Sequence, residues 1–266
     1  HVGGDVASAS TVLDLVHLDR ADVEDPDTIL ADEIQSANII LNELVAQNPK
    51  LSGMGTTVSA ILLNDSKLHL AHIGDSRAYR LRNDTWEQIT KDHTFVEKLL
   101  SEGRITEDEA KVHPHRNVIM RVLGDSDASP ELDMAVIPAT AGERWMLCSD
   151  GVNAVVSEEE TEEIVRTAAT PREAADRLVE RTLELGSPDN VTVVVVDIVD
   201  DAESPPSEEF SSTDEPSPDT GQIEVARGGD LAANQALLRY EMANRPHELV
   251  GAAQLATESG QIPTCL

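Results

Sequence analysis

Between Gly53 and Leu81 the chain reads GMGTTVSAILLNDSKLHLAHIGDSRAYRL, with apolar residues largely at alternate positions. Val58, Ala60 and Leu62 share one face, and Leu68, Leu70 and Ile73 resume the pattern after Asn64-Asp65-Ser66. Gly74-Asp75-Ser76 then punctuates a second reversal before Ala78-Tyr79-Arg80-Leu81. Alternating runs split by turn-forming triplets predict strand, turn, strand, turn, strand. Links this short allow only antiparallel pairing, because a parallel crossover needs about a dozen residues. The expectation is a meander on which the rest of the chain is layered.

Helical spacing brackets this sheet. Val6, Ala9, Val12, Leu13 and Val16 predict a helix over 6–18 with Asp5 as its cap. Pro26 opens a second helix carrying Ile29, Leu30, Ile34, Ile39, Ile40, Leu44 and Val45. After the meander come a short strand at 86–89, a helix on Phe95 to Leu100 capped by Asp92 or Thr94, a short helix from Ile105, and a helical turn or two over 118–123. Strands follow at 134–137 and 144–148, joined as a hairpin around Ala141-Gly142-Glu143. Helices over 158–169 and 172–185 start at Ser157 and at Thr170-Pro171. Val191 to Val199 is apolar on both faces, which predicts a strand buried in the middle of a sheet. Helices, sheet, helices and a final central strand suggest two sheets packed together with helices outside.

The patterning stops at residue 200. Residues 200–229 are acidic, Pro- and Ser-rich and nearly free of large apolar residues, so they cannot offset their ordering entropy and are expected to form a disordered linker. Residues 230–266 regain weak helical spacing and are expected to form a marginal helical tail. Residues 1–199 then form the folded domain.

Composition narrows the function classes. Fifty acidic against twenty basic residues give a formal charge of −30, which disfavours nucleic acid and anionic membrane as partners. Cys148 and Cys265 form neither a disulfide framework nor a zinc set, which fits a reducing cytoplasm. No apolar run is long enough to span a bilayer. The chain opens at His1, not Met, and a missing upstream segment is expected.

The candidate chemistry lies in acidic residues at strand ends. Asp150 ends one strand and Asp189 precedes another, each beside turn residues that let backbone approach a ligand. Carboxylates completed by water suit Mg²⁺ or Mn²⁺, not zinc or copper. Asp-Gly and Asp-Asn pairs are, however, more often turns or caps. Asp75 reads as a turn residue accepting from backbone amides, and Asp92 as a helix cap or an outer metal ligand.

Six ordered segments carry a resemblance. Met54-Gly55-Thr56-Thr57, His72 to Tyr79, Thr90-Lys91-Asp92-His93-Thr94, His113-Pro114 with Arg116-Asn117, Ser149-Asp150-Gly151 and Asp189-Asn190-Val191-Thr192 resemble, in order and spacing, the bacterial form of the PPM (type 2C) metal-dependent protein serine/threonine phosphatases. The resemblance implies an α+β fold, a four-layer α-β-β-α sandwich of two mainly antiparallel sheets. It implies a dinuclear Mn²⁺ or Mg²⁺ centre that activates water to hydrolyse phosphoserine and phosphothreonine in proteins, kinases among them. Asp150 and Asp189 match ligands of one core metal, Asp92 the ligand of a weaker third metal, and His1 a histidine assisting substrate or leaving group. Gly55, Thr56, Gly74, Asp75, Gly151 and Asn190 match structural motif positions. A mobile flap is expected somewhere between Thr94 and Leu132.

One departure goes with the resemblance. The family's bridging Asp with its adjacent Gly lies just before His1, its phosphate-binding Arg and a first strand lie further upstream, and none is in this chain. The expectation is at most one weakly held metal and little turnover for the chain as it stands. The alternatives are a non-catalytic phosphoprotein-binding module and a phosphatase of one signalling regulator. The acidic linker and tail also resemble the stretch before a membrane anchor in bacterial relatives.

Overall fold

The computed structural model describes residues 3–15, 18, 24–124, 129–200 and 236–244. The chain divides into two compact units that interleave along the sequence. One comprises 1–62, 69–78 and 88–137, the other 63–68, 79–87 and 138–266. Two sheets run through it, β1-β2-β5 and β4-β3-β6-β7-β8. Their strands are β1 (Val58–Asn64), β2 (Lys67–Ile73), β3 (Arg77–Arg82), β4 (Thr85–Gln88), β5 (Asp133–Pro138), β6 (Arg144–Cys148), β7 (Thr192–Asp200) and β8 (Ala236–Asn244).

In the first unit α1 (Gly4–Leu15) and α2 (Pro26–Gln47) supply the helical cover. Asp25 caps α2, accepting from the Thr28 amide, with Pro26 preset for the first turn. Leu30, Ile34, Ala37 and Leu41 then recur along one stripe and are buried. Met54, Val58, Ala71, Ile73 and Leu123 complete that core. Asn38 is buried on α2, and its Oδ1 accepts from the Gly124 amide at 2.8 Å, tying the 123–124 corner to the helix. Four of the motif residues, Gly55, Thr56, Gly74 and Asp75, lie in this unit: Thr56 exchanges backbone hydrogen bonds with Leu123, and a Cβ on Gly55 would stand 2.8 Å from the Leu123 carbonyl. Gly74 has φ +114°, and a Cβ there would stand 2.3 Å from Thr57 Cγ2. A close approach at positive φ is what glycine permits.

In the second unit α6 (Glu158–Thr167) and α7 (Pro171–Glu184) begin at the expected caps. Ser157 Oγ accepts from the Glu160 amide and Thr170 Oγ1 from the Glu173 amide. Their buried faces, with Ile164, Val165, Leu178 and Val179, share a core with Met146, Val193 and Val195. Arg144 and Asp197 sit directly opposite in the β6–β7 register. The guanidinium reaches both Asp197 oxygens, at 2.6 and 2.8 Å, and also donates to the Val165 and Ala168 carbonyls.

Several sequence expectations are corrected. The three-strand meander is two hairpins, because β1 and β2 pair in one sheet while β3 and β4 belong to the other. Asp65-Ser66 and Asn83-Asp84 each have two consecutive positive φ values, the geometry of two-residue hairpin turns. Between β2 and β3 only Gly74 has that conformation, and the link passes from one sheet to the other. Likewise β5 and β6 lie in different sheets, so Ala141-Gly142-Glu143 is not a hairpin loop. Residues 118–123 are not helical; they make isolated bridges, Ile119 with Thr94 and Leu123 with Thr56. Asp5 lies inside the first turn of α1 and does not cap it. Within the stretch 230–266, whose spacing predicts a marginal helical tail, the structure has β8, antiparallel to β7 from Thr192↔Asn244 to Asp200↔Ala236. Backbone pairing explains that outcome: β8 satisfies the amides and carbonyls along the β7 edge that faces away from β6. Residues 201–235, which hold the expected linker, and the rest of the expected tail at 245–266 lie outside the described residues.

Candidate metal centre

At its C-terminal end β6 delivers Ser149, Asp150 and Gly151, which turn into α5 (Asp150–Asn153). The neighbouring strand β7 is entered through Ser187-Pro188-Asp189-Asn190. Because β6 and β7 are antiparallel, with Cys148 opposite Val193, the end of one and the start of the other fall at the same sheet edge. Gly151 makes the approach very close: a Cβ there would stand 2.3 Å from the Asn190 carbonyl oxygen and 3.5 Å from Ser187 Oγ. Asp150 and Asp189 thus occupy adjoining segments, both exposed. Asp189 Oδ1 accepts from the Asn190 amide at 2.8 Å.

Four hydrogen bonds lock these segments. The Ser149 amide donates to the Thr192 carbonyl at 3.0 Å. Ser149 Oγ donates to the Asn190 carbonyl at 3.1 Å and accepts from the Thr192 amide at 3.0 Å. Ser187 Oγ donates to the Gly151 carbonyl at 2.9 Å. Sequence reasoning passed over both serines. A Ser at the N-cap of a helix, as Ser149 is, reads as an ordinary cap.

The donor chemistry fits a hard divalent cation in kind, since two exposed carboxylates on abutting segments are the oxygen ligands Mg²⁺ and Mn²⁺ prefer. It is a partial set: among the described residues no group of three or more His, Cys, Asp or Glu side chains is placed to hold an ion. His1 lies outside the described residues. In the other unit, Asp92 Oδ2 accepts from Arg77 Nη2 at 2.7 Å and Oδ1 from Nε at 2.9 Å, with Gln88 adding a bond at 3.3 Å. This is an ion pair with bidentate geometry, and Thr94, not Asp92, caps α3 (Phe95–Ser101), which the short α4 (Glu107–Lys111) follows.

That unit also holds a paired-histidine network that sequence reasoning missed. The Gly74 amide lies 3.1 Å from His93 Nδ1, and His93 Nε2 meets Asp133 Oδ2 at 3.1 Å. Arg121 holds the other Asp133 oxygen at 3.1 Å. His72 Nε2 donates to the Lys91 carbonyl, and Nδ1 accepts from Ser59 Oγ at 2.9 Å. The two rings lie 4.8 Å apart. Burial, reinforced by repulsion from His93, holds the His72 pKa below its ordinary 6.5. Burial raises the Asp133 carboxyl, but the His93 hydrogen bond and the charges of His93 and Arg121 outweigh it, leaving it below 3.8.

Two antiparallel sheets with flanking helices define the fold class, two aspartate-bearing segments abut at one sheet edge, and comparison supplies the family. The protein phosphatase 2C family model matches residues 5–191, and the chain belongs to that family. It is 46% identical over 203 residues to the serine/threonine protein phosphatase PstP of Mycobacterium tuberculosis, covering 75% of this chain and 38% of PstP. It is 36% identical over 202 residues to the serine/threonine phosphatase Stp of Listeria innocua, covering 74% of this chain and 80% of that one. The solved catalytic domain of PstP, in complex with two manganese ions, superposes with a TM-score of 0.68 at 44% identity, covering 75% of this chain and 84% of that one. The chain therefore spans well under half the length of PstP. Among the described residues no helix is long and apolar enough to cross a membrane.

Proposed function

We propose that this chain belongs to the catalytic domain of a metal-dependent phosphatase acting on phosphoserine and phosphothreonine in proteins, phosphorylated kinases included, in the cytoplasm. The observation that supports the reading is that the segments carrying Asp150 and Asp189 abut, with Gly151 packed against the Asn190 carbonyl and Ser149 bonded to it. A phosphomonoester dianion repels its nucleophile, and its uncatalysed hydrolysis is among the slowest known reactions. A bound Mn²⁺ or Mg²⁺ supplies charge neutralisation and a water acidic enough to furnish hydroxide near neutral pH. Asp150 and Asp189 would hold and orient that ion, and their exposure leaves the position open to a protein-borne phosphate. Cys148 takes no part: it is buried, and Asn153 Nδ2 lies 3.5 Å from its sulfur.

Two carboxylates give incomplete ligation, so the test compares the chain as it stands with one carrying Asp-Gly-Met-Gly-Gly ahead of His1. Mn²⁺-dependent hydrolysis of a phosphothreonine peptide is expected to be weak in the first and clear in the second. Asp150→Asn in the extended form should abolish the metal-dependent rate with the melting transition retained. Full rate in that variant would overturn the reading.

A further inference from the structure

Ser149 occupies the N-cap of α5 with the extended backbone of a capping residue (φ −73°, ψ 163°), yet its side chain makes no cap hydrogen bond. In contrast, Thr94, Ser157 and Thr170 all cap with their side-chain oxygens. Ser149 Oγ instead reaches the segment carrying Asp189, bonding the Asn190 carbonyl and the Thr192 amide. Ser187 does the converse: it lies two residues before Asp189, and its Oγ donates across to the Gly151 carbonyl beside Asp150. Each candidate ligand thus has a neighbouring serine whose hydroxyl reaches the backbone next to the other ligand, Ser187 Oγ also making longer 3.4 Å bonds with the amide and carbonyl of Asp189.

We propose that Ser149 and Ser187 are positioning residues, a reciprocal hydroxyl clasp that sets the separation of Asp150 and Asp189 for one shared divalent cation. The proposal rests on the metal-dependent reading above. Its physical basis is preorganisation. Two loop-borne carboxylates repel one another and drift apart unless the backbone holds them, and an ion must then work against that repulsion to close the site. Groups that orient metal ligands from behind typically contribute about 10- to 100-fold in metal affinity. The serine bonds run to backbone groups of the facing segment and not to the carboxylates. Because Gly151 brings the two segments so close, losing the clasp lets them separate.

The experiment uses the full chain, ¹⁵N-labelled, titrated with MnCl₂, and reads paramagnetic broadening of the Gly151 and Asn190 amides. In the wild type both are expected to broaden together with one midpoint. Ser149→Ala/Ser187→Ala is expected to raise that midpoint by about 10- to 100-fold and to split the two responses, one segment broadening before the other. Ser187→Ala alone should show a smaller rise, and Ser187→Thr, which keeps the hydroxyl, should restore it. If the double variant fails to fold, the Ser187→Ala and Ser187→Thr pair decides. Wild-type midpoints in the alanine variants, or equal losses in Ser187→Ala and Ser187→Thr, would overturn the clasp while the metal reading stands. Absence of joint broadening in the wild type, or its persistence in Asp189→Asn, would overturn the metal reading and the clasp with it.

Discussion

At Gly151 the distance from a would-be Cβ to the Asn190 carbonyl is 2.3 Å, and the neighbour is backbone, which cannot swing aside. Gly151→Ala must therefore part the two aspartate-bearing segments. Overpacking of this kind costs about 1–3 kcal/mol, and Mn²⁺ affinity should fall by about 10- to 100-fold. Urea unfolding and metal titration of the same sample check both. His72 gives a pH prediction. Its pKa is depressed in the folded chain by burial and by His93, so the unfolded chain binds more protons below the ordinary value of 6.5. Stability is then full above pH 6.5 and declines as pH falls below it. The depressed Asp133 carboxyl adds a second decline below about pH 3.8. In His72→Gln the slope of unfolding free energy between pH 6.5 and 5 should flatten, measured by urea titrations at each pH.

Elements show where sequence was informative and where it was not. Pro26, Thr94, Ser157 and Thr170 start helices because capping is local chemistry, decided by the residue and the amides three positions on. For α3 the sequence offered both Asp92 and Thr94, and only the structure shows Asp92 committed to Arg77, fifteen residues away. Alternation likewise located the strands but could not assign them to sheets. Nothing in Ile73 to Arg77 distinguishes a hairpin from a passage between sheets, apart from the lack of a second positive φ beside Gly74. Asn83-Asp84, a two-residue turn signal, would have paired β3 with β4. Asp150 and Asp189 were found as strand-end carboxylates. The serines binding their segments were not, because a serine's partner 41 residues away leaves no periodic trace. The β6–β7 pair offers an element-scale test. Arg144→Met leaves Asp197 and two carbonyls of the α6 terminus without their donor, and should cost about 2–3 kcal/mol, read from the shift in denaturation midpoint.

For the whole molecule, a formal charge of −30 is a destabilising self-repulsion that salt relieves. Between 0.01 and 1 M NaCl the screening length contracts from about 30 to about 3 Å. The melting temperature should rise over that range, and a fall would mean that attractive ion pairs dominate. The two units alternate along the sequence, with changes after residues 62, 68, 78, 87 and 137. Consequently no single scissor cut in the gene isolates either one. A truncation at any of these points leaves at least one fragment that mixes parts of both units, so half-length expression products should come out as insoluble or protease-labile material, and the region has to be inherited, swapped and engineered as one piece.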